Sequence, residues 1–426
     1  MKFSLLPPRD QIVTLMERIY GNGMTTTSGG NLSILDDNGD LWITPAGIDK
    51  GRLTPEDIVC VKPDHQAEGK HAPSSEYPFH RTIYERRPDI RAIAHAHPPA
   101  LVSFSIVGQI PNPRIIPQAY HVCGAVGFAP YATPGTWELG ENIAATFAQG
   151  FNVILLENHG VVTGGADLLE AFQRLETLDF CARTLIQASG LGPVQSLSDA
   201  QIELFYGRDN RWPEFSPASA SSRERELRKQ MVQIVHRAYE HRLMTSTEGT
   251  LSARVDPQSF LITPYGVDRK YLGVEDVVLI KEGRREQHKL PSRSVLLHQI
   301  IYRDHPEVGC IISAQSPNVL AYSVAARQFD TRTIPESYIL LRNIPIIPYE
   351  QLYTTPEAVS AVLSKETPVI LVQNDVVLTT GANVLQAFDR LEVADFSAKA
   401  LVNSLRIGEL KPISEEAVKD LETKFL

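Results

Sequence analysis

The feature that most constrains this chain is an internal repeat. Three segments of the first half return in the second half, in the same order and at nearly constant distances of 216 to 219 residues. The matching pairs are Leu41–Asp49 with Phe260–Asp268, Ile116–Tyr120 with Ile334–Tyr338, and Glu170–Glu176 with Gln386–Glu392. Self-similarity at a fixed spacing indicates repeated copies of one structural unit. The sequence therefore predicts two copies of one fold in tandem.

A polar segment separates the two copies. Asp209–Ser222 is rich in serine and proline, a composition that is typical of linkers between domains. The chain has 426 residues, which is enough for two domains of ordinary size. We therefore predict a first domain over residues 1–208, a linker over residues 209–222 and a second domain over residues 223–426.

Within each copy, short apolar runs alternate with amphipathic stretches. The first pattern is typical of strands and the second of helices, and their alternation predicts an α/β protein. In the first copy the predicted strands cover residues 31–35, 41–44, the run that starts at Ile90, and 152–157. The predicted helices cover residues 9–20, 75–86 and 167–189. Pattern alone predicts neither the order nor the direction of the strands.

Two histidines end the predicted strand that starts at Ile90. Side chains alternate between the faces of a strand, so His95 and His97 point the same way, about 7 Å apart along it. Pro98 and Pro99 end the strand just beyond them. Two imidazoles at this spacing can hold one metal ion, but an isolated pair of this kind can equally be an accident of the surface.

The second copy keeps the frame of this strand and changes its histidines. Another histidine and a glutamate of the first copy change with them. The corresponding pairs are His95 and Ser313, His97 and Gln315, His159 and Asp375, and Glu76 and Ser294. Three imidazoles with an open coordination position suit a catalytic zinc, so we predict one zinc ion in the first domain. His80 is instead kept as His298, which favours packing or a structural hydrogen bond.

Composition excludes several classes of function. The net charge of −9 and the isoelectric point near 5.8 argue against nucleic acid or a membrane surface as a partner. The four cysteines form no CxxC pair and are typical of free thiols in a reducing compartment. No apolar run is long enough to cross a bilayer, and the N-terminal one is too short for a signal peptide. We therefore predict a cytoplasmic protein.

Five motifs of the first copy together resemble the class II aldolase/adducin family. They are Thr27–Ser33, Ile43–Gly47, Pro73–Glu76, His95–His97 and Asn158–Gly160. The resemblance covers most of residues 9–205 with every motif, and residues 223–405 at the level of the frame alone. It implies α/β/α layered domains, each around a mostly antiparallel sheet, and a zinc ion held by His95, His97 and His159.

The resemblance also implies roles for other residues. Glu76 matches the acid that moves protons beside the metal, and the family's phosphate pocket falls on Asn31, Gly47, Ser74 and Ser75. Ser74 and Ser75 stand where the predicted helix begins, which favours a phosphate. Ala46 departs from the pattern, because one of the family's aldolases has a threonine hydroxyl there. Tyr120 is the candidate for the catalytic tyrosine, which in the family reaches the metal from a neighbouring subunit.

The activity that these residues predict is a zinc-dependent, reversible aldol cleavage of a ketose phosphate. Alternatives on the same fold are a 4-epimerase or a dehydratase of a sugar phosphate, and a non-catalytic structural module of the adducin kind. We expect a homo-oligomer in which the two copies alternate around a pseudo-fourfold ring. In such a ring Tyr338, the counterpart of Tyr120, could be the tyrosine that reaches the zinc.

Overall fold

The computed structural model describes residues 3–425, which form two units. The first unit consists of the chain up to Pro113 together with Ala119–Ala182. The second consists of Arg114–Gln118 and the chain from Arg183 onward. Each unit has its own sheet, with eight strands in the first and nine in the second among the described residues. Residues 183–208, which we predicted to belong to the first domain, lie in the second unit.

The first sheet is mostly antiparallel, as predicted. Its strand order is β4-β3-β2-β1-β5-β8-β7-β6, and β6 and β7 are its one parallel pair among the described residues. The strands are β1 (Asn31–Leu35), β2 (Leu41–Ile43), β3 (Val59–Val61), β4 (Ala67–Glu68), β5 (Ala92–Ala96), β6 (Val126–Ala129), β7 (Val153–Leu156) and β8 (Val161–Gly165). The helices of this half are α1 (Pro8–Gly21), α2 (Tyr77–Arg86), α3 (Pro99–Ile106), α4 (Pro117–Cys123), α5 (Trp137–Phe147) and α6 (Leu168–Ala188).

Helices cover both faces of this sheet. Phe79 of α2 and Phe147 of α5 belong to the same buried apolar cluster as Ile93 of β5. The hydroxyl of Thr163 in β8 donates a hydrogen bond to the carbonyl of Ala171 in α6, 2.7 Å away. Thr163 pairs with the residue after Ile93, and successive residues of a strand face opposite sides. Helix α6 therefore lies on the face opposite to α2 and α5, which gives an α/β/α arrangement.

The second sheet has the order β15-β16-β17-β14-β10-β11-β12-β13-β9. Its strands are β9 (Glu214–Phe215), β10 (Thr250–Asp256), β11 (Ser259–Ile262), β12 (Val278–Lys281), β13 (Arg284–Glu286), β14 (Cys310–Ala314), β15 (Ile346–Ile347), β16 (Val369–Val372) and β17 (Val377–Gly381). The helices are α7 (Asp199–Tyr206), α8 (Ser222–Glu240), α9 (Val295–Asp304), α10 (Pro317–Val324), α11 (Pro335–Leu341), α12 (Gln351–Thr354), α13 (Pro356–Val362), α14 (Val384–Leu405) and α15 (Glu415–Phe425). The segment predicted as a linker supplies β9, which pairs in parallel with β13.

The two copies pair their central strands in the same register. In the first sheet Asn31 of β1 lies opposite His95 of β5, and the strands run antiparallel. In the second sheet the residues at the corresponding positions, Thr250 of β10 and Ser313 of β14, lie opposite each other in the same way. The tandem duplication predicted from the sequence is therefore confirmed, and the changed residues occupy equivalent places in the two sheets.

His80 makes the structural hydrogen bonds that its conservation between the copies predicted. It is fully buried in α2, and its Nδ1 lies 2.6 Å from the hydroxyl of Ser33, which in turn lies 2.7 Å from the hydroxyl of Tyr84. Burial lowers the pKa of His80 to about 3, so the ring is neutral. The second copy repeats this arrangement with Ser252, His298 and Tyr302. Its presence in both copies identifies it as part of the frame.

Removing one hydroxyl from each network is expected to destabilise the protein to a similar extent. Tyr84→Phe and Tyr302→Phe each remove a buried hydrogen bond and should lower the free energy of unfolding by about 1 kcal/mol. Denaturant unfolding of each variant measures this change. Tyr131→Phe is the matched control, because Tyr131 is exposed and should give no change. Equal stability of all three variants and the wild type would contradict a structural role.

Two further observations concern the cysteines and the helices of the described residues. All four cysteines are buried and none is in a disulfide. Burial raises the pKa of Cys123 to about 12, which keeps this thiol protonated and unreactive. Across residues 3–425, none of the helices has the length and apolar composition that a bilayer crossing requires.

Candidate metal centre

His95 and His97 stand at the end of β5, in the middle of the first sheet. The strand ends at Ala96, so His97 is the first residue after it, and the backbone N–H of His97 donates to the carbonyl of Met24. His95 is fully buried, and its Nδ1 donates a hydrogen bond to the carbonyl of Val161, 3.0 Å away. This bond orients the ring and leaves Nε2 as the free nitrogen, as is usual for histidines that bind metals.

His159 comes from the turn between β7 and β8. The preceding residue, Asn158, has a left-handed backbone with φ of 53°, which turns the chain sharply. The backbone N–H of His159 is bonded to the carbonyl of Leu156 and to the hydroxyl of Ser105, both 3.1 Å away. The turn brings one nitrogen of His159 within 4.8 Å of nitrogens on His95 and His97. Three residues predicted as ligands from two distant segments therefore converge.

The three rings carry the vacant donor atoms that a metal ion requires. Nε2 of His95 and Nε2 of His97 are buried and form no hydrogen bond, and Nε2 of His159 lies 3.5 Å from the carboxylate of Glu76. Leaving a buried polar atom without a hydrogen bond costs about 1–3 kcal/mol, so this cluster of nitrogens needs an explanation. A set of imidazole nitrogens suits a divalent first-row metal such as zinc, with a position left open for substrate. These residues therefore fit the metal that the sequence predicted.

Burial also keeps two of the rings in the form that binds metals. Loss of solvation, with a smaller contribution from the neighbouring His95, lowers the pKa of His97 to about 3 and that of His159 to about 4. Both rings are therefore neutral at pH 7. A neutral imidazole has a lone pair for coordination, so no proton has to leave these two rings before a metal binds.

Glu76 places its carboxylate against the histidines. It is the last residue before α2 and is 92% buried, with 8% of its surface exposed. Its two oxygens lie 3.2 Å from Nε2 of His95 and 3.5 Å from Nε2 of His159. Burial raises the pKa of Glu76, but His95, His159 and the amide of Asn31 together outweigh it, and the pKa falls well below its usual range. The carboxylate is therefore anionic and can accept a proton.

A chain of hydrogen bonds leads from the core of the first unit to this carboxylate. The amide of Asn31 donates to Glu76 over 2.7 Å, and its carbonyl oxygen accepts from Nε2 of His80. His80 is held in turn by Ser33 and Tyr84. The sequence predicted Asn31 as a phosphate contact and His80 as a frame residue. The structure uses both to orient Glu76, a role that spacing along the chain did not indicate.

The remaining phosphate candidates differ in their accessibility. Helix α2 begins at Tyr77, so the prediction that Ser74 and Ser75 start this helix is wrong by two residues. The hydroxyl of Ser74 accepts the N–H of Glu76, and its carbonyl accepts the N–H of Tyr77, which fixes the turn before the helix. Ser75 and Gly47 are exposed, and Gly47 has a φ of 66° that favours glycine.

The two candidate tyrosines lie on helices α4 and α11. Tyr120 is half-buried in α4. Its counterpart Tyr338 lies in α11, and its hydroxyl donates to the carboxylate of Glu422 over 2.6 Å. The role of Tyr120 as a proton donor stays a prediction, and Tyr338 has a partner within its own unit.

Two glycines make room for the ring of His97. A Cβ atom on Gly29 would lie 2.8 Å from Nδ1 of His97, and one on Gly160 would lie 2.6 Å from Cδ2 of the same ring. Both glycines belong to motifs that the sequence singled out. The second copy has Glu248 and Val376 at these positions. In the second copy, larger residues therefore stand where the two glycines make room for the ring of His97, and Gln315 replaces the histidine itself.

Gly160→Ala is expected to weaken metal binding by about 10- to 100-fold, the usual effect of displacing a metal ligand through its surroundings. The added methyl group would also meet the carbonyl of Ala96 at 2.6 Å, so His97 or the turn must move. Competition with a chelating dye measures the affinity. Gly190→Ala is the matched control, because its Cβ would have no neighbour closer than 4.0 Å. Unchanged affinity in Gly160→Ala would contradict the close packing at His97.

One protein family matches this chain over both copies. The sequence matches the family described as Class II Aldolase and Adducin N-terminal domain over residues 10–186 and again over residues 229–402. The first range contains the histidines and Glu76, and the second contains the residues that replace them.

Individual relatives are enzymes of about half this length. A 5-deoxy-D-ribulose 1-phosphate aldolase of Bacillus thuringiensis serovar kurstaki is 32% identical over 203 residues, 46% of this chain and 92% of the relative. A 3-oxo-tetronate 4-phosphate decarboxylase of Haemophilus influenzae is 31% identical over 202 residues, 46% of this chain and 95% of the relative. A solved structure of an L-fuculose 1-phosphate aldolase is 33% identical, with a TM-score of 0.43, and covers 46% of this chain and 93% of that one.

Proposed function

The chain belongs to the class II aldolase and adducin family, and from this premise we propose that it is a zinc-dependent lyase acting on a sugar phosphate. The reaction is the reversible aldol cleavage of a ketose phosphate into dihydroxyacetone phosphate and an aldehyde. One observation carries the proposal: the buried, anionic carboxylate of Glu76 lies 3.2 Å from His95 and 3.5 Å from His159, two of three histidines whose nitrogens converge within 4.8 Å. The relatives named as sugar-phosphate aldolases support it.

His95, His97 and His159 would hold one zinc ion in the first domain, and Glu76 would stand beside it. When bound, zinc supplies a Lewis acid that polarises a substrate carbonyl. His97 and His159 are neutral and would bring no negative charge to the ion. Gly47, Ser74 and Ser75, together with Asn31, are the residues proposed for the phosphate group.

Glu76 is proposed as the general base in the condensation direction. Its carboxylate takes a proton from the carbon next to the carbonyl of dihydroxyacetone phosphate, and the electron pair of that bond forms an enediolate. The same carbon then attacks the aldehyde carbonyl, and the resulting alkoxide takes a proton from the hydroxyl of Tyr120. Cleavage follows the same steps in reverse. Asn31 holds one carboxylate oxygen, so the geometry of proton transfer depends on it.

A second reaction, decarboxylation of a 3-oxo acid phosphate, is favoured by one observation. Relatives named 3-oxo-tetronate 4-phosphate decarboxylase are 31% and 33% identical to this chain over most of their length. Loss of carbon dioxide from a 3-oxo acid breaks the bond between the carboxylate carbon and its neighbour. The electron pair stays on that neighbouring carbon, which forms an enolate with the 3-oxo group. This is the charge that aldol cleavage also produces, so the same metal and acid serve both reactions.

The test is a product assay with the purified full-length, zinc-loaded chain. The panel contains L-fuculose 1-phosphate, 5-deoxy-D-ribulose 1-phosphate and 3-oxo-tetronate 4-phosphate. Release of dihydroxyacetone phosphate from a ketose phosphate supports the aldolase, and release of carbon dioxide from the acid supports the decarboxylase. Chelated protein is the control and should release neither product. A zinc-loaded chain that cleaves none of the panel would overturn the proposal in favour of a structural module.

A further inference from the structure

The second unit has a small polar cavity at the place that corresponds to the metal centre. Its volume is about 70 Å³, which holds more than one water molecule. Five of the residues that line it occupy the equivalent positions of Asn31, Ser74, His95, His97 and His159 in the first copy. They are Thr250, Ser292, Ser313, Gln315 and Asp375. The cavity has therefore changed its chemistry while keeping its position in the fold.

Two arginines at this cavity have no acceptor. Arg208 and Arg293 both line it, and both stack on the ring of Phe205, with the guanidinium carbons 4.6 and 4.0 Å from its centre. Within residues 3–425, neither guanidinium donates a hydrogen bond or forms an ion pair, and Nε of Arg208 is buried without a partner. A guanidinium has five N–H donors. Two neighbouring cations with unused donors therefore lie at one opening.

A third cation and two acids complete the charge of the cavity. Arg269 is 96% buried, and its donors go to the carbonyls of Gly249 and Val267. Burial raises the pKa of Glu248 to about 8, and burial also raises the pKa of Asp375. Asp375 accepts a hydrogen bond from Tyr353. Arg208 and Arg293 oppose this rise in the pKa of Asp375. Three arginines nevertheless line the cavity against two acids, so it is positive even when both acids are ionised.

We propose that this cavity binds a phosphate group, held by Arg208 and Arg293 without a metal ion. Guanidinium groups bind phosphate through paired, charge-assisted hydrogen bonds. The hydroxyls of Thr250 and Ser292 lie 2.6 Å apart and bond to each other, so one of these two, together with the hydroxyl of Ser313, supplies further donors. The same two arginines also border a larger apolar cleft of about 570 Å³. That cleft provides space for the body of a phosphorylated metabolite. The proposal does not depend on the reaction of the first domain.

Calorimetric titration with inorganic phosphate tests this site. The full-length chain carries His95→Ala and His97→Ala and is treated with a chelator, so that no metal-bound phosphate contributes. We expect one phosphate per second unit, with binding at least about tenfold weaker after Arg208→Gln or Arg293→Gln, since charge-assisted bonds are lost. Arg303→Gln is the matched control, because Arg303 is exposed and remote from this cavity. Equal affinity in all of these variants would overturn the proposal.

A second set of titrations distinguishes loss of phosphate binding from misfolding and identifies the source of the phosphate. Arg293→Lys keeps the charge but loses the planar fork, so it should weaken phosphate binding by less than Arg293→Gln does. If the Arg293→Lys variant binds phosphate as tightly as the chain that keeps Arg293, the guanidinium is not what recognises the phosphate. Glycerol 3-phosphate is titrated beside inorganic phosphate. Tighter binding of the ester assigns the site to a phosphate monoester, and the reverse order assigns it to free phosphate.

Discussion

Glu76→Gln is expected to lower the rate of carbon–carbon bond cleavage by about two to four orders of magnitude while zinc stays bound. The amide has almost the same shape as the carboxylate but cannot accept a proton at pH 7. Its position before α2 and its bond from Asn31 are compatible with an amide oxygen. Steady-state kinetics and metal analysis of the same sample measure both quantities. The loss should fall on kcat, because the proton is transferred during the reaction and not on binding.

The control for this variant is Glu138→Gln, which removes an exposed glutamate of the first unit and should retain wild-type rates. Asn31→Ala adds a second comparison, since it leaves the carboxylate in place but removes the group that orients it. An intermediate loss of kcat is expected there, with zinc content unchanged. Full activity in Glu76→Gln, measured with zinc still bound, would exclude Glu76 as the base.

His95→Ala is expected to abolish activity through loss of the metal. Removing a residue that hydrogen-bonds to a metal ligand lowers the affinity for the metal by about 10- to 100-fold, and removing the ligand itself lowers it further. His95 is fully buried and in contact with Glu76, so the variant also removes one of the partners of that carboxylate. Zinc titration by competition with a chelating dye should show affinity reduced by more than about 100-fold.

The matched control is His241→Ala, because the side chain of His241 is 55% exposed and belongs to the second unit. It should bind zinc and turn over substrate as the wild type does. Thermal unfolding of both variants separates loss of metal from loss of fold. If His95→Ala keeps both its zinc and its activity, the ligand assignment is wrong.

The candidate ligands could be predicted from the sequence because the chain contains its own comparison. Ser313 and Gln315 show that the strand forms without His95 and His97, so the histidines are not needed for folding. The same comparison identified His80 as a frame residue. The buried run of β5 also has the composition of a central strand, although its neighbours in the sheet could not be predicted from pattern.

The support of Glu76 could not be predicted in this way. It depends on contacts between residues 45 to 51 positions apart, such as Asn31 with Glu76 and Ser33 with Tyr84. Local pattern predicts which residues face a core, but not which polar groups meet there. The start of α2 was misplaced for a similar reason: the hydroxyl and carbonyl of Ser74 form a turn that delays the helix to Tyr77.

The second copy also contains contacts that local pattern does not predict. The loss of its candidate metal ligands is visible in the sequence as substitutions, whereas the charged residues of its cavity come partly from outside the repeat. Arg208 follows α7, in a segment for which the three matched pairs give no counterpart, and only the fold brings it to Arg293 and Phe205. A copy that has lost its metal can therefore have gained a different binding chemistry.

The number of zinc ions per full-length chain is the most direct test of a metal centre confined to the first copy. Elemental analysis of the purified, zinc-loaded protein measures it without any assumption about substrate. We predict one zinc per wild-type chain and none in the variant that carries His95→Ala and His97→Ala. Two zinc ions per wild-type chain, or none, would contradict this account.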